Sequence, residues 1–132
     1  MNLCSLLLVF LFSFFSGNPT AYTAQGKASY YADRMHGHRT ASGERYDKAK
    51  LTAAHASLPY NTKVLVTNLE NGKSVVVTIN DRMARSRHNI IDLSKAAAKA
   101  LDIVRAGSGN VQLKELTSEQ EAQQASTESV SE

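Results

Sequence analysis

The stretch Lys63–Arg82, KVLVTNLENGKSVVVTINDR, decides the fold. Its two runs at 63–68 and 74–80 are rich in β-branched residues, which favour strands. The segment between them contains Asn71-Gly72, a pair that readily adopts the positive φ angles of a tight hairpin turn. The stretch therefore predicts an antiparallel β-hairpin.

Shorter strand patterns lie on both sides of this hairpin. They are ASYY at 28–31, LTAAH at 51–55 and NVQLKEL at 110–116. The last of these alternates apolar side chains well enough to form a final strand. These patterns predict a mainly β domain.

One helix is predicted in LSKAAAKAL, residues 93–101. Ser94 is a good N-cap, and Leu93, Ala97 and Leu101 fall four residues apart on one face. Several short strands and one short helix in a domain of residues 26–116 predict a small closed β-barrel, because closure removes the exposed edges of a sheet.

The N-terminal segment MNLCSLLLVFLFSFF is an apolar run followed by polar and small residues up to Ala24. This order is typical of a secretory signal, with an uncleaved membrane anchor as the alternative. Cys4 is the only cysteine and lies ahead of the run, whereas a lipid-anchor cysteine would follow it. We predict a signal peptide at 1–24 and an exported product, periplasmic or extracellular, that is neither lipid-anchored nor inserted in a membrane.

The sign of the net charge differs between residues 26–116, which are basic, and the tail 117–132, which is acidic. Residues 26–116 contain all fifteen Lys and Arg and eight of the twelve acids, whereas the tail 117–132 has four Glu and no base. Because the tail has almost no apolar side chains, it is predicted to be a disordered acidic segment. A basic exported body favours an anionic partner such as a cell-wall polymer or a membrane surface. The sequence has no basic-aromatic platform of the kind that binds nucleic acid. We expect a monomer.

Three candidate functional residues lie at the ends of predicted elements. Glu44 follows a Ser-Gly turn in TASGERY, His55 ends LTAAH, and Asp81 ends the second strand of the hairpin. Each also has an ordinary interpretation, as a solvated turn residue, a satisfied core histidine or a turn cap. Spacing alone does not show that the three meet.

Asp92 and the HGH motif are weaker candidates for functional residues. Asp92 is interpreted as structural, because two residues before Ser94 it could accept backbone N–H bonds at the helix start. The HGH motif at 36–38 could begin a metal site with His88, but no cysteine or carboxylate has ligand spacing, so no metal is predicted.

The segment DRMARSRH places Arg82, Arg85 and Arg87 directly after Asp81. It can be a solvated loop or a clamp for an anionic polymer, since guanidinium groups bind carboxylate and phosphate bidentately. The pattern leaves both interpretations open.

Taken together, GKASYYADRMHGHRTASGERYD, the run from Leu51 to Arg82, and IIDLSKAAAKAL resemble the rare lipoprotein A family, the septal-ring lytic transglycosylases of bacterial cell walls. The resemblance extends from Gly26 to Leu116. It implies a six-stranded double-psi β-barrel related to expansins. It also implies cleavage of the MurNAc-GlcNAc bond without water, leaving 1,6-anhydro ends, with a preference for glycan strands that lack stem peptides. No cofactor is implied.

The resemblance also supplies site residues. The family motifs T-A-x-G-E, T-A-A-H and N-D-R correspond to Glu44, His55 and Asp81. Asp81 is expected to act as the acid/base, with Glu44 orienting substrate or stabilising positive charge and His55 holding one carboxyl by a hydrogen bond. The substrate-binding residues are predicted to be Thr40, Arg82, Arg85 and Arg87.

The chain departs from the family pattern after N-D-R. Met83-Ala84-Arg85 replaces the usual Gly-Pro-aromatic sequence, and Asn89 replaces an arginine. The departure leaves a rival interpretation, a non-catalytic glycan-binding module of the expansin kind.

Overall fold

A computed structural model describes residues 21–130 of the 132-residue chain. The predicted signal peptide therefore lies outside the described residues, apart from its last four positions. Six strands form a closed barrel in the order β1-β5-β2-β4-β3-β6. Their bounds are β1 Thr23–Tyr30, β2 Thr52–His55, β3 Lys63–Asn68, β4 Ser74–Arg82, β5 Asn89–Leu93 and β6 Gly109–Glu115. The predicted mainly β, closed barrel is confirmed.

The predicted hairpin is formed by β3 and β4. Val64 pairs with Val77 and Val66 with Val75, and Gly72 in the turn has a φ of 76°. Alternate residues of both strands point into the barrel, where Val64, Val66, Val77 and Ile79 are fully buried. The β-branched pattern thus corresponds to the barrel interior.

The barrel mixes parallel and antiparallel pairs. β1 pairs with β5 and β2 with β4 in parallel, while the remaining neighbours are antiparallel. β5 was not predicted as a strand, because its five residues include the charged Asp92 and run directly into the helix. Its place is set by pairing with β1 and β2, which are distant in sequence.

The predicted helix forms as α1, Lys95–Ala100. The Ser94 hydroxyl caps it by accepting a hydrogen bond from the Ala97 amide, as predicted. Ala97, Ala98 and Leu101 are fully buried and join the main core. α1 therefore packs an apolar face on the barrel despite its shortness.

The barrel begins before the predicted domain start at Gly26. Tyr22 exchanges hydrogen bonds with Glu115 at the end of β6, the Tyr22 amide to the carboxylate at 3.1 Å and the Glu115 amide to the Tyr22 carbonyl at 2.9 Å. Ala24, the predicted last residue of the signal peptide, lies within β1. The polar sequence of this segment has no strand signal, and antiparallel pairing with β6 makes it a strand.

The structure differs from the prediction at the C-terminal tail. Residues Ser118–Val130 form a second helix, α2, where a disordered segment was predicted. The Thr117 amide donates to the Gln120 side chain and the Gln120 amide donates to the Thr117 hydroxyl, a reciprocal capping box. Glu, Gln and Ala favour a helix even where little apolar surface is buried. A short 3-10 helix lies at Asp33–Met35. No helix within residues 21–130 has the length and apolar character to cross a membrane.

Candidate active site

A β-bulge determines which way Asp81 points. Ala53 of β2 pairs with Ile79 of β4, but the next residue, Ala54, pairs with Asp81. Asn80 therefore has no pairing partner on β2. Without this extra residue Asp81 would follow Val77 and Ile79 into the core, because side chains alternate along a strand. The bulge turns it to the outer face instead.

Three donors hold the Asp81 carboxylate. The backbone amides of Ala41 and Arg82 each donate to Oδ1 at 2.8 Å, and the Tyr31 hydroxyl donates to Oδ2. Both oxygens are therefore engaged, and the carboxylate has a defined orientation. Hydrogen bonds to an ionised acceptor are the strong ones.

Tyr31 belongs to a small cluster outside the main core. Its ring stacks on Tyr46 with centroids 4.4 Å apart, and both rings pack with Ala54. Met35 and Met83 border the cluster. Burial, reinforced by Asp81, raises the pKa of Tyr31, so its hydroxyl stays protonated and remains a donor. The sequence patterns singled out neither tyrosine, because both contacts join distant parts of the chain.

Asp92 lies on the same outer face as Asp81. Ala54 pairs with Asp81 on one side and with Asp92 on the other, so the three residues form a row across β4, β2 and β5. Ser29 of β1 continues this row and donates its hydroxyl to Asp92 Oδ1 at 3.3 Å. The predicted role of Asp92 at the helix start is wrong, because the first amides of α1 donate instead to the Tyr46 hydroxyl, the Lys48 carbonyl and the Ser94 hydroxyl.

Glu44 sits on a turn that is fixed to the end of β4. The Ala41 amide bonds to Asp81, and the Ser42 amide donates to the Asn80 carbonyl at 3.3 Å. The Glu44 side chain itself is exposed and has no hydrogen bond or ion pair within residues 21–130. The structure thus brings the Glu44 turn to Asp81, while no contact within residues 21–130 holds the Glu44 carboxylate in one place.

Thr40 stabilises this turn from within. It is 8% exposed, and its hydroxyl donates to the Glu44 carbonyl at 2.7 Å. The Thr40 hydroxyl also lies 3.0 Å from the Ser42 hydroxyl. Through these contacts Thr40 stabilises the conformation of the 40–44 turn.

His55 faces away from Asp81. It follows Ala54 on β2, so its side chain points to the opposite face. Its Nδ1 accepts from the amides of Ser57 and Leu58, and its Nε2 lies 3.2 Å from the Tyr22 hydroxyl. Neither ring nitrogen contacts a carboxylate, which differs from the predicted role. Burial, with added repulsion from Arg82 and Arg85, lowers the pKa of His55 and favours the neutral ring.

The three predicted arginines have different environments. Arg82 donates to the His55 carbonyl at 3.2 Å and lies over the Tyr60 ring, 4.3 Å from its centroid. Arg85 and Arg87 are exposed, and Arg85 lines a surface pocket with Tyr22 and His55. Arg82 therefore has protein partners, and the other two extend from the loop after β4.

His36, the first histidine of the HGH motif, contacts the loop before β2. His36 Nδ1 accepts a hydrogen bond from the Lys48 amide at 3.1 Å. In the part of the chain that the structure describes, no three His, Cys, Asp or Glu side chains are grouped closely enough to hold a metal ion.

Solved structures share the barrel. A Streptomyces papain inhibitor aligns with a TM-score of 0.60 at 23% identity, covering 76% of this chain and 100% of the inhibitor. An expansin of Clavibacter michiganensis aligns with a TM-score of 0.61 at 19% identity, covering 74% of this chain and 52% of the expansin. These likenesses concern the fold alone and define a protein of the double-psi β-barrel class.

The chain belongs to the lytic transglycolase family, whose sequence model matches residues 23–113. An endolytic peptidoglycan transglycosylase RlpA of Vibrio cholerae is 49% identical over 100 residues, 76% of this chain and 38% of that protein. A probable enzyme of the same name in Synechocystis is 54% identical over 88 residues, 67% of this chain and 27% of that protein. The chain therefore matches less than half the length of these relatives.

Proposed function

We propose that this protein is an endolytic peptidoglycan lytic transglycosylase that cleaves MurNAc-GlcNAc bonds and leaves 1,6-anhydro ends. The family and the names of the relatives support this reaction class. The observation that carries the proposal is Asp81, a carboxylate turned out of the barrel by a bulge and oriented by three donors.

The reaction requires two proton movements. Breaking the glycosidic bond needs a proton on the leaving oxygen and stabilisation of an oxocarbenium-like centre. The attacking group is the C6 hydroxyl of the same sugar, which must lose a proton. Side-chain carboxyls can perform each of these tasks, so the reaction needs neither a metal nor an organic cofactor.

Asp81 suits the step at the C6 hydroxyl. Its donors orient the carboxylate, and an oriented carboxylate can both accept the C6 proton and stabilise positive charge at C1. The family resemblance implies that Asp81 performs both proton movements. Because all three contacts are donated to its oxygens, we assign it the base step and the electrostatic one.

The remaining predicted site residues have supporting roles in this proposal. Glu44 contacts the substrate from its exposed turn next to Asp81. His55 holds the chain after β2 through the amides of Ser57 and Leu58. Arg85 and Arg87 bind the anionic polymer, while Thr40 and Arg82 support the turn and loop beside it.

The setting of the reaction follows from its substrate. Peptidoglycan lies outside the cytoplasm, so we propose that the protein is exported and acts there. The fifteen basic residues of the 26–116 body, against eight acids, provide attraction to an anionic wall polymer.

The first test uses the secreted protein and purified glycan strands without stem peptides. We expect mass spectrometry to detect fragments with 1,6-anhydro ends. Asp81→Asn keeps the size of the side chain but removes the base, so release of these fragments should fall by roughly 10²- to 10⁴-fold. Sedimentation with peptidoglycan should be unchanged, because the basic loop remains.

The rival function is a non-catalytic glycan-binding module. The altered loop after Asp81 favours it. Glycan binding with no anhydro product from the wild-type protein would establish the rival. Fragments with ordinary reducing ends would show hydrolysis by water instead.

A further inference from the structure

The proposed function leaves one chemical task without a residue. We propose that Asp92, aligned with Asp81 across Ala54 on the outer face of the barrel, is a second catalytic carboxyl and donates the proton to the leaving glycosidic oxygen. This inference rests on the proposed function and deepens it.

Strand register places the two carboxyls together. Asp81 and Asp92 are both direct partners of Ala54, so two strand spacings, roughly 10 Å, separate their Cα atoms. Carboxyl pairs that act on a glycosidic bond lie about 5 to 9.5 Å apart, a range that side chains on one face can reach. Between the two carboxyls in this row Ala54 contributes only a methyl group, which packs with the Tyr31–Tyr46 pair.

Asp92 keeps one oxygen available. Ser29 donates to Oδ1 at 3.3 Å, and Oδ2 has no hydrogen-bond partner within residues 21–130. In the same residues every fully buried side-chain oxygen and nitrogen has a partner, so the unpartnered Oδ2 must reach solvent. A substrate on the outer face could therefore contact it.

The surroundings of Asp92 favour the protonated form. Burial raises the pKa of Asp92, and the negative charge of Asp81 raises it further, while the Ser29 hydrogen bond opposes both effects. Asp81 accepts three hydrogen bonds and Asp92 only one. Two neighbouring carboxyls in such different surroundings form an acid and a base.

Each proton that the two carboxyls give or accept in one turnover is accounted for. The Asp92 carboxyl gives its proton to the glycosidic oxygen as the C1–O bond breaks and its electron pair stays on that oxygen. The C6 oxygen bonds to C1 and loses its proton to the Asp81 carboxylate. Asp81 then releases this proton to solvent and Asp92 takes one up, which restores the starting state.

The test compares Asp92→Asn with Asp102→Asn. Asp102 is an exposed aspartate just after α1, and its φ of 60° is one that asparagine tolerates. With purified glycan strands we expect Asp92→Asn to lose anhydro product by roughly 10²- to 10⁴-fold, while peptidoglycan binding and the thermal midpoint match the Asp102→Asn control.

The outcomes separate the two proposals. If the wild-type protein releases no anhydro product, the proposed function fails. If the wild type is active and Asp92→Asn stays within about tenfold of the Asp102→Asn control, only the role of Asp92 is overturned. If Asp92→Asn loses peptidoglycan binding or folded protein to the same extent as product, the catalytic role of Asp92 is also overturned. A residue with a purely structural role would behave in this way.

A second variant protects the test against misfolding. Asp92→Glu retains a carboxyl but displaces it by one methylene, so we expect product to fall by about tenfold or more with binding retained. This variant should remain more active than Asp92→Asn. Wild-type activity in Asp92→Glu would contradict a role that depends on position.

Discussion

Tyr31 connects a packed aromatic pair to the proposed catalytic carboxylate. Its ring is held by stacking on Tyr46, and its hydroxyl donates to Asp81. Tyr46 is in turn anchored, because its hydroxyl accepts a hydrogen bond from the Lys95 amide at 3.0 Å. At the scale of single residues, Tyr31 is therefore a positioning residue for Asp81.

Tyr31→Phe tests this positioning role. The change keeps the stacked ring but removes a hydrogen bond to a charged acceptor, which is worth about 1.5 to 3 kcal/mol. We expect release of anhydro product to fall by about 10- to 100-fold with unchanged peptidoglycan binding.

Tyr46→Phe is the matched control for this variant. It also deletes one buried hydroxyl, but the hydroxyl contacts the start of α1 and leaves Asp81 untouched. Its main effect should be a lower thermal midpoint. Equal losses of activity in the two variants would show that the aromatic pair acts only through stability.

At the scale of elements, Ser94 joins α1 to the barrel wall. Its hydroxyl accepts from the Ala97 amide and from the Thr52 amide of β2, both at 3.3 Å, and its side chain is fully buried. One side chain thus caps the helix and ties it to the strand that carries Ala54. The two bonds lie directly beside the row of proposed catalytic carboxyls.

Ser94→Ala should therefore destabilise the fold. Loss of an N-cap costs about 1 kcal/mol and up to about 2 kcal/mol, which corresponds to a fall in the thermal midpoint of about 5 to 10 °C in a domain of this size. Ser74→Ala, at the exposed start of β4, should change stability by no more than about 0.5 kcal/mol. A Ser94→Ala midpoint equal to that of Ser74→Ala would disprove the double role.

At the scale of the whole molecule, the barrel closes without α2. All strand pairings lie between Thr23 and Glu115, and the Leu116 amide makes a final bond to the Lys63 carbonyl. Glu121 and Gln124 of α2 line a surface groove with Leu116 and residues of the barrel wall. The helix thus adds to one side of a barrel that is already complete.

Removal of residues 117–132 should leave the barrel folded. Because residues 117–132 contain only one apolar side chain larger than alanine, we expect the thermal midpoint to move by less than about 4 °C, equivalent to less than about 1 kcal/mol. Calorimetry of the truncated protein measures this shift. A shorter chain ending at Gln112 interrupts β6 and should not fold, whereas a large fall on removing only the tail would make α2 part of the domain.

The sequence by itself determined the local elements of this protein. The β-branched runs and the Asn71-Gly72 turn predicted the β3-β4 hairpin, and the Ser94 cap predicted α1, because these signals act between near neighbours. Positions at the ends of elements singled out Glu44, His55 and Asp81 as candidates, and motif resemblance supplied their expected roles. The barrel class also followed from the number and shortness of the strands.

Only the tertiary structure decided which of these residues share a face. The unpaired Asn80 turns Asp81 outward, and pairing of β2 with both β4 and β5 brings Asp81 and Asp92 to either side of Ala54. The same pairing leaves His55 on the opposite face. Register between strands distant in the chain sets these positions, and a shift of one residue reverses the face of a side chain, so spacing along the sequence could not reveal them.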